Sequence, residues 1–337
     1  MPQSVGTTTS SMRALVVDCY GPIEDVELRE MPRPVPGAGE LLIRVRAASI
    51  NSADVRMIRA RPFFVRFFSG FIRPLGGILG PDAAGEVIEV GEDVTRFKPG
   101  DRVCGDLMDS GAGGFAEYLT TTENLLAPIP EGVSFDQAAA LPVAGLTALQ
   151  ALRDAGGIQP GREVLIDGAS GGVGTFAVQL AKHFGAEVTG VCSTGKLEQT
   201  RELGADHVID YTAEDFTRNE KNYDLIVSCN GVHSIFEYRR RLKPGGTFVA
   251  AGGGLGHVFG SMILGKALAG PTGKKLTNIH AHADTEDLEY LLELVATGSI
   301  TPLIERTYPL ERGVEALAYV DAGHARGKIV LTMKDAR

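Results

Sequence analysis

EVLIDGASGGVGTFAVQLAKHFGAEVTGVC, residues 163–192, decides the fold. A short apolar run ends at Asp167, and Ala169, Gly171 and Gly174 follow with AxGxxG spacing. A helical pattern then runs from Gly172 to Phe184, and a second β-branched run, Glu187–Cys192, comes after it. Strand, tight turn, helix and strand in that order form the setting in which a glycine turn binds a dinucleotide. Gly171, lacking a Cβ, lets the backbone approach a pyrophosphate, and Gly174 lets the helix pack closely on the strand. The helix N-terminus offers unpaired N–H groups and the positive end of its dipole. Ala169, Ser170, Gly171, Gly172, Val173 and Gly174 are therefore predicted to grip the phosphates. Ala169 in place of the usual first glycine is a mild departure.

Working outward, the rhythm continues. Val208–Ile209, Tyr223–Ser228 and Thr247–Ala251 read as further strands. Helices fall over Lys196–Leu203 and near Ile235–Leu242, and Lys243-Pro244-Gly245-Gly246 reads as a turn. Strand–helix alternation implies right-handed βαβ units in a doubly wound parallel sheet of Rossmann type, predicted over 133–272. Upstream, RALVVDCY, ELLIRVRAASI, GEVIEVGEDV and GGFAEYLTT are short strands broken by Pro and Gly. Residues 12–132 thus read as a compact, partly open β-barrel, and 1–11 as a disordered tail. From 273 to 337, two amphipathic helices (Thr285–Thr297, and 308–320 with Leu310, Val314, Leu317 and Val320 on one face) and the strand GKIVLTM are expected to pack back on the N-terminal domain.

Cofactor choice is read at the end of the second strand. A chain that binds NAD places Asp or Glu there, on the ribose 2′-hydroxyl. Here stand Cys192-Ser193-Thr194-Gly195-Lys196. Ser193 can donate a hydrogen bond, Lys196 supplies charge, and Tyr211 can add a hydroxyl, so NADPH is the expected cofactor. A charge-assisted bond of this kind is worth about 1.5–3 kcal/mol. Asn230 and Gly252-Gly253 follow the fourth and fifth strands, where a dinucleotide crosses the sheet.

A net charge of -9 argues against a nucleic-acid partner. Four scattered cysteines form neither a disulfide framework nor a Cys-rich metal site. A reduced, cytoplasmic setting is expected, with no membrane span, because no run of eighteen apolar residues occurs.

AASINSADVR, ILGPDAAGEVIEVGEDVTRFKPGDRV, GGFAEY, AALPVAGLTALQAL, DGASGGVGTFAVQLAKHFGAEV, LGADHVIDY and ARGKIVL together resemble the medium-chain dehydrogenase/reductase superfamily, in its zinc-independent quinone oxidoreductase branch. The resemblance runs from Met12 to the end. It implies a GroES-like catalytic domain built from both chain ends, an inserted Rossmann domain, a cleft at their junction, and a homodimer or homotetramer. Zinc-dependent members carry a Cys-His-Cys/Asp set. Asn51 stands where its first cysteine would be, Pro81-Asp82 where a Gly-His-Glu would be, and MDSGAGGF in place of a four-cysteine lobe. No metal is expected, since catalytic zinc needs three side-chain ligands.

Without a metal, hydride transfer from the cofactor suits acceptors that need little polarisation: a hydrophobic quinone, an enone or another activated double bond. The N-x-x-D match marks Asn51 and Asp54 as candidate catalytic groups. Asn51 reads either as a donor to the acceptor oxygen or as a turn residue, and Asp54 as the anchor of a loop. Arg56 stands where related chains often carry a tyrosine. Thr147 resembles a residue lining the nicotinamide pocket. An enoyl or alkenal double-bond reductase and a non-catalytic NADPH-binding protein remain as alternatives. RPFFVRFFSGFIRPLGG places Phe63, Phe64, Phe67, Phe68 and Phe71 within nine residues. It reads as a packed helix, a pocket wall or a membrane-surface contact.

Overall fold

The computed structural model describes residues 10–61, 77–252 and 272–334. The phenylalanine-rich segment, Gly253 and most of the N-terminal tail lie outside the described residues.

Six strands form one wholly parallel sheet: β8 (Glu163–Asp167), β9 (Glu187–Cys192), β10 (His207–Asp210), β11 (Tyr223–Ser228), β12 (Leu242–Ala250) and β13 (Lys275–Asn278). Their order is β10-β9-β8-β11-β12-β13. The chain order reverses between β8 and β11, so the glycine-rich turn after β8 opens at the switch point of a doubly wound sheet. Both faces are covered, as a parallel sheet requires. Val164, Ile166, Leu225 and Val227 point into a core with Phe176 and Leu180 of the helix Gly172–His183. Leu165, Ile226 and Phe248 point the other way, onto Ile235 and Tyr238.

The second unit is a seven-stranded sheet in the order β14-β15-β3-β4-β5-β7, with β6 paired to β3. Its central strands are β3 (Glu40–Ile50), β4 (Asp82–Val90) and β5 (Arg102–Asp106); β6 is Tyr118–Thr122 and β7 Leu126–Pro128. The chain's end supplies β14 (Ile304–Pro309) and β15 (Lys328–Thr332). This is the GroES-like domain built from both ends of the chain.

Three details differ from the sequence expectation. Ser11 is already in a strand, pairing with Pro32. The predicted turn Lys243-Pro244-Gly245-Gly246 is a bulge inside β12: the partners step from Tyr223↔Leu242 to Leu225↔Thr247. Past residue 272 the chain does not return at once. β13 extends the parallel sheet, and Leu288, Leu291 and Leu292 of the helix Thr285–Ala296 bury among Leu149 and Phe176. Only from β14 onward does it rejoin the N-terminal domain, where Leu310, Leu317, Ile329 and Leu331 pack with Leu15 and Ile43. β13 escapes a pattern search because KLTN is four residues with three polar ones.

Candidate active site

The glycine-rich turn after β8 is held from below. A Cβ on Gly174 would lie 2.0 Å from the Gly168 carbonyl oxygen and 2.8 Å from the Ala169 Cα, so only glycine lets the helix sit this close to β8. Gly171 is the N-cap residue, with φ -86° and ψ 179°, and no side chain caps the helix there. A Cβ on Gly171 would meet nothing nearer than the Gly168 oxygen at 3.7 Å. The space above Gly171 is thus an open cradle. The first N–H groups of the helix, those of Gly172, Val173 and Gly174, lack intrahelical acceptors by the geometry of any helix start. A diphosphate fits both features. Ala169 and Ser170 are buried beneath the turn. Gly168 lies against Asn230, whose Cβ is 3.1 Å from where a Gly168 Cβ would be. Gly252 packs on the Cys229 carbonyl. The crossing residues therefore line one rim.

Ser193 and Lys196 follow β9, and Tyr211 joins them by donating its N–H to the Cys192 carbonyl at 3.1 Å, its side chain exposed. Lys196 Nζ donates to the Ala325 carbonyl at 3.1 Å. Its pKa is lowered, first by burial and then by the guanidinium of Arg326. Arg326 Nη2 would lie 3.6 Å from a Cβ on Gly195. Two cations from different domains thus converge beside Ser193. Arg326 was not foreseen, because it lies 130 residues further along the chain. Two acids do approach: Asp210, at the end of β10, accepts from the Thr194 hydroxyl at 2.6 Å and from the Thr212 hydroxyl and N–H at 2.7 and 2.9 Å, and Glu305 accepts the Arg326 backbone N–H at 2.6 Å and partly offsets the effect of Arg326 on Lys196.

The other half of the site is a buried polar cluster. Asp82 of β4 is fully buried, and its Oδ2 accepts from Ser49 Oγ, from Asn51 Nδ2 at 2.8 Å and from Lys328 Nζ at 3.2 Å. Its Oδ1 accepts from the Val143 N–H at 2.8 Å, at the start of the helix Pro142–Gln150 that carries the buried Thr147. Lys328 Nζ also donates to Asn51 Oδ1 at 2.7 Å. Asn51 and Asp54 form a capping box at the helix Ser52–Ile58, and the Asp54 carboxylate accepts the Asn51 N–H at 2.8 Å. Asp54 therefore anchors the turn that presents Asn51. Burial, aided by Asp82, pushes the Asp54 carboxyl up to about 7. Asp106 stands directly opposite Asp82 across β4 and β5, and burial and that like charge raise it to about 7 as well. Cys104 is raised too, by burial and then Asp82.

Lys328 opens β15, where β15 meets the glycine-rich turn. Gly327 bridges Gly171 in parallel fashion, and the Lys328 Cδ would lie 3.3 Å from a Cβ on Gly172. The Asn51–Asp82–Lys328 cluster and the cradle are therefore neighbours. The sequence carried one signal for Lys328: a lysine embedded in the apolar run GKIVLTM, where a solvated charge has no place. Among the described residues no three His, Cys, Asp or Glu side chains converge as a metal-binding group.

Doubly wound sheets of this order bind dinucleotides at the switch point, and joined to a β-rich partner domain they define a nicotinamide-dependent oxidoreductase. Residues 37–131 match the model of the alcohol dehydrogenase GroES-like domain, and 203–331 that of the zinc-binding dehydrogenase family. The chain is 36% identical over 334 residues to the chloroplast envelope quinone oxidoreductase homolog of Arabidopsis thaliana, covering 95% of this chain and 98% of that one. It is 33% identical to the 2-methylene-furan-3-one reductase of Solanum lycopersicum, covering 96% and 79%. The solved quinone oxidoreductase of Coxiella burnetii superposes with a TM-score of 0.86 at 31% identity, covering 96% and 100%. The chain belongs to the medium-chain dehydrogenase/reductase superfamily, in its quinone oxidoreductase-like branch.

Proposed function

We propose that the chain is an NADPH-dependent, zinc-independent reductase that delivers hydride to quinones or similar activated carbonyl acceptors. The observation that carries this reading is the contact between the open cradle at Gly171 and the buried Asn51–Asp82–Lys328 cluster, through the Gly171–Gly327 bridge. It sets a cofactor site against a set of polar donors. A reduced nicotinamide, when bound, supplies the hydride. The Gly172–Gly174 N–H groups hold its diphosphate; Asn230 and Gly252 flank the turn, and Thr147 lines the nicotinamide side. Ser193, Lys196 and Tyr211, with Arg326, receive the 2′-phosphate, since two close cations are relieved by an added anion. Asn51 faces the acceptor oxygen.

The donor set supports zinc independence. At the place of the zinc ligands, Asp82 already accepts from four donors, one of them a lysine ammonium. A divalent cation would have to displace that charge. The acceptor is hydrophobic and small, the protein a homodimer or homotetramer, and its setting cytoplasmic, in keeping with four free thiols. No helix among the described residues is long and apolar enough to cross a membrane.

The similarity to the 2-methylene-furan-3-one reductase of Solanum lycopersicum favours a second reading, an enoyl or alkenal reductase with the same site. Steady-state oxidation of NADPH and of NADH, with 1,4-naphthoquinone and with a conjugated enal, separates these. The proposal expects naphthoquinone reduction with higher kcat/KM for NADPH. Turnover of the enal alone would select the second reading. Tight NADPH binding with no turnover of either acceptor would make the chain a non-catalytic cofactor-binding protein.

A further inference from the structure

A buried lysine needs a reason, because an ammonium held away from water is expensive unless charge and hydrogen bonds compensate it. Lys328 is 2% exposed. Asp82 compensates its charge. Yet its shorter bond goes to a neutral group, the Asn51 amide oxygen, at 2.7 Å against 3.2 Å to the carboxylate. Asn51 is gripped at both ends: Oδ1 by the ammonium, one Nδ2 hydrogen by Asp82. The amide cannot flip, since a flip would aim its NH2 at Lys328 and its oxygen at Asp82. Its second Nδ2 hydrogen has no acceptor among the described residues.

We propose that Lys328 is a positioning residue that fixes and polarises the Asn51 amide, making the second Nδ2–H of Asn51 the donor to the oxygen on which negative charge builds. A cation on the carbonyl side of an amide draws electron density from the nitrogen and strengthens its N–H as a donor. The lysine so does at one remove what a metal does directly. This rests on the reductase reading above. In the step concerned, hydride with its electron pair bonds to the acceptor carbon. The C=O π pair shifts onto the acceptor oxygen (in an enal the C=C pair moves in as the new π bond to the carbonyl carbon), Asn51 stabilises that oxygen, and water later protonates it, leaving hydroxide.

Asn51 polarisation matters most where the oxygen carries most charge in the transition state. High-potential quinones react early and need little help; enals react late and need more. The test is Lys328→Met in the full chain, with kcat measured for a high-potential benzoquinone, naphthoquinone and an enal, and NADPH affinity by fluorescence. A direct oxyanion donor is worth about 10²–10³ in kcat, and its polarising partner less. We expect a loss of about 10–100-fold with the enal and under about 3-fold with the benzoquinone, with NADPH affinity unchanged. Equal losses on every acceptor, or none, would overturn the proposal while leaving the reductase reading intact. A wild-type protein that reduces no acceptor would overturn both. Should Lys328→Met alone fail to fold, the charge-neutral pair Lys328→Met with Asp82→Asn replaces it, with the same expected graded loss.

Discussion

Gly171 and Gly174 are three residues apart in one turn, and substituting alanine at each should have opposite effects. At Gly174 the added methyl would lie 2.0 Å from the Gly168 oxygen and within 2.9 Å of two Ala169 backbone atoms. Backbone cannot rotate away as a side chain can, so the helix must retreat by about 1 Å to restore ordinary contact. Overpacking of this kind costs about 1–3 kcal/mol, a Tm lower by about 2–10 °C. At Gly171 the backbone is extended, open to any residue, and the new methyl meets nothing within 3.7 Å. Gly171→Ala should melt like wild type. Its methyl, however, stands in the cradle and displaces the diphosphate from at least one N–H. One lost charge-assisted bond, about 1.5–3 kcal/mol, weakens NADPH binding about 10–150-fold. Thermal melts with and without NADPH, plus titration calorimetry, read both effects. Gly171→Ala binding NADPH with wild-type affinity would refute the placement of the phosphates.

Further outcomes follow from the same geometry. Asp54 has a folded pKa near 7, above its ordinary value, so its contribution to stability is complete below about pH 4 and is lost as pH rises through 7. Asp54→Asn, neutral at all pH, should gain on wild type by up to about 4 kcal/mol at pH 8, with the gap narrowing as pH falls and closing near pH 4 in denaturant melts. Lys196→Ala should raise KM for NADPH about tenfold or more and leave KM for NADH unchanged in steady-state assays. Asn51→Ala should lower kcat about 10²-fold with little change in NADPH affinity, since its amide is the proposed donor to the acceptor.

The proposed cofactor half was legible because its physics is local. AxGxxG, one helix start and one strand end lie within thirty residues, and β8, β9 and β11 fall at their predicted places. The other half was legible only in pieces. Asn51 and Asp54 stood out by resemblance, and their capping box is a three-residue relation. Lys328 reaches Asn51 across 277 residues, and Asp106 meets Asp82 only through strand register. Neither partnership leaves a spacing in the chain. β13 was missed for a different reason: as an edge strand of four residues it carries too little alternation to register.

The most direct measurement is the affinity of the purified full chain for NADPH and for NADH by titration calorimetry at one ionic strength. With the diphosphate on Gly171–Gly174 and the 2′-phosphate between Ser193, Lys196 and Arg326, NADPH should bind at least about tenfold tighter. Equal affinity would contradict the 2′-phosphate site, and no affinity for either would contradict the cradle itself.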